Sequence, residues 1–404
     1  MPVTLQELLQ PQLILDLVSR VRPGVGALGS WLGFQPTSYS PDTVSLSGPA
    51  TVSGQLRYTS YRIFNEVRTP LKARAPGTGP GTVAQNPMGQ VQVTCARFHS
   101  KIPLNYEFLG NLSPMVGPNS QIDSQGQSYI KQQSNYLAQQ AGTMVEMMAA
   151  AMMRDSLYLQ MSGDDWLPVF SAPSASGGIT PAYLQVNFQI PSGNKSQLDM
   201  LGSGNIIGTT WANPAAPILT DIMKIKAAFA QLTRYPLTDI WINSTMWPNV
   251  INNTQVRNTG GSSNTPFAEY TNVPERGMDG QPTGKYEAIL RGDPTITWHM
   301  NDDVVSLGSD IDLSYSTYST GTANKLVPDN MAIFCTKPTP DIAKMYLGGE
   351  IVVENPGMPG VIRSGYYSWS EYVTQPSAID LIALLNAVPC LYNPLCFAPA
   401  TVVF

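Results

Sequence analysis

SQGQSYIKQQSNYLAQQAGTMVEMMAAAMMRDSLYLQM, residues 124–161, runs for 38 residues without a proline and is rich in Ala, Met, Leu and Gln. These residue types favour a helix because they lose little side-chain freedom in one. Ile130, Leu137, Ala141, Met144, Met148, Met152 and Leu159 recur at helical spacings that share a face. Read as one helix at roughly 1.5 Å per residue, the stretch would span some 55 Å. Gly163 and the pair Asp164 and Asp165 then close it. A helix of that length is unusual in a compact domain, so the spacing predicts a spine along which a thin protein is built. Met144, Met147, Met148, Met152 and Met153 suit core packing on such a spine better than an adaptable binding groove.

Working outward, the upstream sequence offers few places to bury itself. Leu5, Leu8, Leu9, Ile14, Leu17, Val18 and Val21 form a helical stripe interrupted at Pro11, and a Gly/Pro-rich stretch, Pro23 to Pro49, follows. That reads as an arm whose apolar face needs another surface. From Thr51 to Tyr106 the pattern changes to strands, with Leu56, Tyr58, Tyr61 and Ile63 before, and Val91, Val93 and Cys95 after, the loop APGTGPGTVAQNPMG at 75–89. The expectation is a long hairpin. Its first half carries Arg57, Arg62, Arg68, Lys72 and Arg74 against only Glu66, and one-sided charge stores repulsion unless a partner relieves it.

Downstream, Trp166 to Ile190 reads as strands and turns, Ile218 to about Arg234 as an amphipathic helix, and Leu237 to Ile242 as a buried strand. A short helix over Met246 to Asn253 and a polar loop over Asn258 to Pro266 follow. Strands are expected over Thr295 to Met300, Lys325 to Thr336 and Glu350 to Glu354, then a helical piece over Ala378 to Asn386 and a strand over Ala400 to Phe404. No internal repeat is present.

Composition narrows the function classes. The 404 residues include 23 Lys+Arg and 28 Asp+Glu, or 13% charged, about half the share of roughly 25% usual for soluble domains. The hydrophobic share of 43% excludes global disorder, so a folded protein with much of its surface in contacts is expected. A net charge of −5 argues against binding nucleic acid through an overall field. The N-terminus has no basic lead and is not a secretion signal, and no apolar run of about 20 residues offers a membrane helix. A soluble protein made inside the cell, with Cys95, Cys335, Cys390 and Cys396 as reduced thiols, is the expectation.

Catalytic chemistry finds little footing. Gly24, Gly26 and Gly29 match GxGxxG, but after a helix instead of a strand and with no acidic residue at the expected distance, so a turn or arm is the better reading. His299, Asp302 and Asp303 are the nearest approach to a metal or catalytic cluster. On a strand His299 and Asp303 would share a face, and a solvated strand end is preferred. Asp164 and Asp165 read as a polar exit from the spine. No catalytic, cofactor or metal residues are assigned.

The order of arm, hairpin, spine helix, strands, mixed α/β region and returning strand resembles the major capsid proteins of tailed double-stranded DNA bacteriophages, most closely the lambda-type major capsid protein E group. The segments that carry it are MMRDSLYLQMSGDDW, WANPAAPILTDIMKIKAAFAQLTRYPLTDIWINSTMWPNVI, KLVPDNMAIF and GGEIVVENPG. The resemblance implies an α+β fold with an N-terminal arm (1–50), an extended loop (51–109), a peripheral domain (110–210) bearing the spine helix (about 122–162), an axial domain (211–345) and a return to the peripheral domain (346–404). It implies a shell protein of the virion, assembled in the host cytoplasm as hexamers and pentamers around double-stranded DNA held non-specifically. It further implies scaffolding, portal and cement or decoration proteins as partners, with no membrane and no cofactor. Leu5, Leu8 and Leu9 of the arm and Arg57, Arg62, Arg68, Lys72 and Arg74 of the hairpin are the expected subunit interface. An encapsulin-like nanocompartment shell is the alternative within this class. A hydrolase using His299 and Asp303 is the more remote one.

Overall fold

The computed structural model describes residues 23–24, 26–34, 58–64, 88–94, 96–105, 124–162, 165–170, 183–233, 235–259, 268–270, 275–276, 282–283, 286–306, 323–352, 361–374 and 377–404. In chain order these form α1 (Ala27–Trp31), β1 (Tyr58–Phe64), β2 (Met88–Thr94), β3 (Ala96–Asn105), α2 (Ser124–Met153), β4 (Ser156–Ser162), β5 (Asp165–Val169) and β6 (Tyr183–Asn187). Next come α3 (Ile218–Leu232), β7 (Asp239–Ile242), α4 (Trp247–Ile251), α5 (Thr254–Asn258), β8 (Ala268–Tyr270), β9 (Glu275–Arg276), β10 (Pro282–Thr283), β11 (Tyr286–Leu290) and β12 (Asp293–Met300). The remainder is β13 (Val304–Ser306), β14 (Ala323–Lys325), β15 (Met331–Cys335), β16 (Ala343–Leu347), β17 (Gly349–Val352), β18 (Val361–Thr374), β19 (Ser377–Leu391) and β20 (Phe397–Thr401). The class is α+β, as the sequence implied.

The chain divides into two compact units. The first comprises Met1–Ser60, Gln92–Glu146 and Met345–Pro389; the second comprises Tyr61–Val91, Met147–Lys344 and Cys390–Phe404. In the first, β19 lies antiparallel between β18 and β3, and β17 extends the sheet beyond β18. This corrects the helix expected over Ala378–Asn386. Residues 380–391 are all buried, and an interior strand covered on both faces shows no alternation to distinguish it from a helix. Its Asp380 reaches the Lys101 ammonium on β3 at 3.0 Å.

The second unit is centred on a six-stranded mixed sheet ordered β20-β15-β7-β12-β11-β8. Only the β7–β12 pair is parallel. One face presents Ile240, Ile242, Ala288, Trp298, Met300, Ala332 and Phe334 to the buried side of α3, namely Ile218, Ile222, Ile225 and Phe229. Trp211 joins that core, its ring centroid 6.2 Å from Trp298 and 6.0 Å from Phe334. The expected helix at Ile218 and strand at Leu237–Ile242 are therefore both present, trimmed at their ends. Within Lys325–Thr336, Lys325 ends β14 and the next strand is only Met331–Cys335, and the last strand is Phe397–Thr401 instead of Ala400–Phe404.

The spine helix is shorter than expected. α2 ends at Met153, and SLYLQM becomes β4, paired with both β5 and β6. Leu157 and Leu159 are buried while Tyr158 between them is half-buried, which is strand period, not helix period. The break falls at Asp155, whose φ of 87° no α-helix continues through. Upstream of it, every residue from Met144 to Met153 is buried, so the methionines are core.

Within the range expected to be an arm, Leu28, Leu32 and Phe34 are buried to 5% exposure or less. That part of the range is packed against the fold. β1 and β2 form a two-stranded sheet of their own, the predicted hairpin.

Candidate functional site

The alternation that sends Ile240, Trp298 and Ala288 into the core sends Asp239, Trp241, His299 and Glu287 to the other face of the six-stranded sheet. There β7, β12 and β11 are direct neighbours, and the register sets His299 opposite both Trp241 and Glu287. The imidazole Nε2 lies 2.7 Å from Asp239 Oδ1, and Nδ1 lies 3.1 Å from Glu287 Oε1. Its ring stacks on Trp241 at 4.4 Å between centroids. With one contact on each ring nitrogen, the arrangement ties three adjacent strands through one side chain.

The Cys335 thiol also meets this cluster, with Sγ 3.5 Å from the Asp239 carbonyl oxygen. Cys, His and Asp side by side have the composition of a nucleophilic triad. Burial, however, pushes the Cys335 thiol well above its ordinary range, which keeps it protonated and unreactive. His299 and Asp239 are also buried, and their contacts join strands of the sheet.

The trio singled out in the sequence is not assembled. β12 stops at Met300, and Asp302 turns back to accept the Ser244 backbone N–H at 2.8 Å. The Asp303 backbone N–H donates to Asn301 Oδ1 at 2.7 Å. His299 and Asp303 do not share a strand face, because the strand has ended between them. Asp239 and Glu287, the actual partners of His299, lie 60 and 12 positions away in sequence, a separation that only sheet register brings together. Asp164 and the side chain of Asp165 lie outside the described residues, as do Leu5, Leu8, Leu9, Arg57, Arg68, Lys72 and Arg74. Arg62 lies on β1, and its side chain is not described.

Two further buried acids lie within α2 and just past its end. Asp155 Oδ1 accepts the Ile190 N–H at 2.7 Å, and its other oxygen pairs with the Lys195 ammonium. Burial pushes its carboxyl above the usual range, outweighing Lys195 and Ile190. Beside it, the Arg154 guanidinium covers the Phe170 ring at 4.4 Å and is lowered to about 10 by burial. Glu146, within the otherwise uncharged run Met144–Met153, accepts the backbone N–H groups of Leu28 at 3.0 Å and Gly29 at 2.8 Å. The GxGxxG glycines thus meet a carboxylate of the protein itself. Among the described residues, no group of three or more His, Cys, Asp or Glu side chains is arranged to hold a metal ion.

No protein-family model matches the chain, and no curated protein matches it. Among solved structures, it is similar to the putative capsid protein of a prophage of Escherichia coli CFT073, with 11% identity, 100% of each chain covered and a TM-score of 0.49. It is similar to a phage-related protein from Bordetella bronchiseptica RB50, with 10% identity, 99% of this chain and 97% of that one covered, and a TM-score of 0.44. It is also similar to the SrpI encapsulin of Synechococcus elongatus, with 9% identity, 85% and 82% covered, and a TM-score of 0.38.

Proposed function

We propose that this chain is a major capsid protein, which self-assembles through hexamers and pentamers into the icosahedral shell around the double-stranded DNA of a tailed bacteriophage. The observation that carries the reading is the β1–β2 hairpin. Its two strands pair only with each other among the described strands, and they are joined by a long connection, residues 65–87, that includes Arg68, Lys72 and Arg74. An isolated two-stranded hairpin is marginal in water, so it calls for a surface on another molecule. A charged share of 13% fits a subunit whose surface is mostly covered by copies of itself.

In this reading residues 1–50 are the N-terminal arm, 51–109 the extended loop, 110–210 and 346–404 the peripheral domain, and 211–345 the axial domain. Leu5, Leu8, Leu9 and the five basic residues of the hairpin contact the adjacent subunit, and the chain has a structural role with no catalytic centre.

Electron microscopy and light scattering of the chain expressed alone, and with the scaffolding partner of its own phage, test the proposal. Closed shells, hexamers or pentamers are expected. A stable monomer at tens of micromolar under both conditions overturns it. Particles that enclose one specific protein cargo and no DNA would replace it with the nanocompartment reading.

A further inference from the structure

The contact between α1 and α2 has features that packing alone does not require. α1 has five residues, its N-cap is Gly26, and no side chain of its own caps it. The N–H groups of its second and third residues, Leu28 and Gly29, are instead bonded to the two oxygens of Glu146, more than 110 positions away. A carboxylate at that place satisfies donors that every helix start leaves open. The glycines make the approach possible. A Cβ on Gly26 would lie 2.5–2.8 Å from the Glu146 side chain, and one on Gly142, a turn earlier on α2, would lie 2.1 Å from the Gly24 carbonyl oxygen. Gly142 and Glu146 therefore form a socket on one helix face, and Gly24–Gly29 is the backbone that fits it. Leu28, Leu32 and Phe34 of the same segment are buried as well.

We propose that Glu146 is a positioning residue for assembly: it clamps Gly24–Phe34 to α2 as a strap, and so fixes where residues 1–22 leave the subunit to reach a neighbour. This rests on the shell reading, because only a self-assembling subunit needs a defined departure point for its arm. The glycine pattern that resembles a nucleotide loop is here a helix-docking motif. A buried acid inside an otherwise apolar helix run is the part that locks it.

The test uses the full chain with Glu146→Gln, which has the same shape but lets only its carbonyl oxygen accept, so one donor is left facing an amide N–H. Gly26→Ala is a second variant that keeps the carboxylate and pushes the strap off by contact. Hydrogen exchange of the Leu28 and Gly29 amides should quicken by about tenfold or more in both variants, and limited proteolysis should cut within 23–34. The protein concentration needed for assembly should rise severalfold in each. In a chain lacking residues 1–22, which the shell reading expects to assemble poorly, neither variant should add a further effect.

Unchanged exchange and proteolysis in both variants overturn the clamp. An equal loss of assembly with and without residues 1–22 overturns the positioning role, because Glu146 would then act on subunit stability alone. A wild-type chain that never assembles sinks the shell reading and the positioning role together, while the exchange measurement still decides whether the clamp exists.

Discussion

Replacing Asp155 separates three energies that meet at the point where α2 turns into β4. Its Oδ1 takes a charge-assisted bond from the Ile190 N–H at 2.7 Å, of a kind that contributes about 1.5–3 kcal/mol. Its backbone at φ 87° costs a residue with a Cβ about 1 kcal/mol or more, and Asn or Asp least. Its pairing with Lys195, whose side chain is 35% exposed, contributes no more than about 1 kcal/mol because water can replace the carboxylate. Asp155→Asn keeps an acceptor for Ile190, tolerates the backbone and has no charge to desolvate, so it should change stability by less than about 1 kcal/mol. Asp155→Gly relieves the backbone but orphans the Ile190 N–H, at a cost of about 2 kcal/mol. Asp155→Ala suffers both and should lose about 3 kcal/mol. Urea unfolding of unassembled chain, followed by tryptophan fluorescence, gives the ranking. The pH dependence gives the sign. Because burial raises the Asp155 carboxyl above 3.8, the folded state holds its proton more tightly than the unfolded state. The stability this contributes is complete below pH 3.8 and is lost as pH rises through the folded value. Asp155→Asn should therefore gain on the wild type as pH rises through that window. An Ala variant as stable as the Asn variant, or a Gly variant worse than Ala, would refute the reasoning.

Other perturbations read different parts of the chain. Trp298→Ala removes a fully buried ring lying 6.2 Å from Trp211 and 5.8 Å from Trp247, and should cost about 3–5 kcal/mol in the same urea assay. At Asp293, burial raises the carboxyl, but bonds from Thr295 and Lys226 outweigh it and hold it below 3.8. That stability is present above pH 3.8 and lost as pH falls through the folded value, so Asp293→Asn should flatten the acid limb of the stability profile. Reversing charge in the hairpin with Arg68→Glu and Lys72→Glu should leave the subunit folded yet raise its assembly threshold at low salt, with the difference shrinking at high salt. Light scattering against concentration checks it, and an unchanged threshold at low salt would remove those side chains from the interface.

Legibility in the sequence followed the exposure of each element. The first half of α2 and the whole of α3 are buried on one face, and their periodicity located them. β19 runs between β3 and β18 with residues 380–391 all buried, so its Leu- and Ala-rich run carried no period and its residues' own preference suggested a helix. β4 was absorbed into the spine because Leu159, seven positions after Met152, also suits helical spacing, and the stop signal was an aspartate at positive φ where glycine is usual. The His299 cluster failed for a different reason. A local search for partners reached Asp302 and Asp303, while the bonds run across strands to Asp239 and Glu287.

Buried acids are what a sequence with so few charges should have drawn attention to. Glu146, Asp155, Asp221, Asp239 and Asp380 are each at most 6% exposed, and each has a specific donor that is distant in the chain or set by sheet register. Glu146 takes Leu28 and Gly29, Asp155 takes Ile190 and Lys195, Asp221 takes the Trp211 indole N–H at 3.3 Å, Asp239 takes His299, and Asp380 takes Lys101. A carboxylate left without such a donor in these positions would cost several kcal/mol, so its presence in an apolar run demands a partner. Every one of the five joins two separate segments: strap to helix, helix end to the turn after β6, loop to α3, strand to strand. The acids that this fold does bury therefore sit at joints between separate segments, where their donors fix the local geometry.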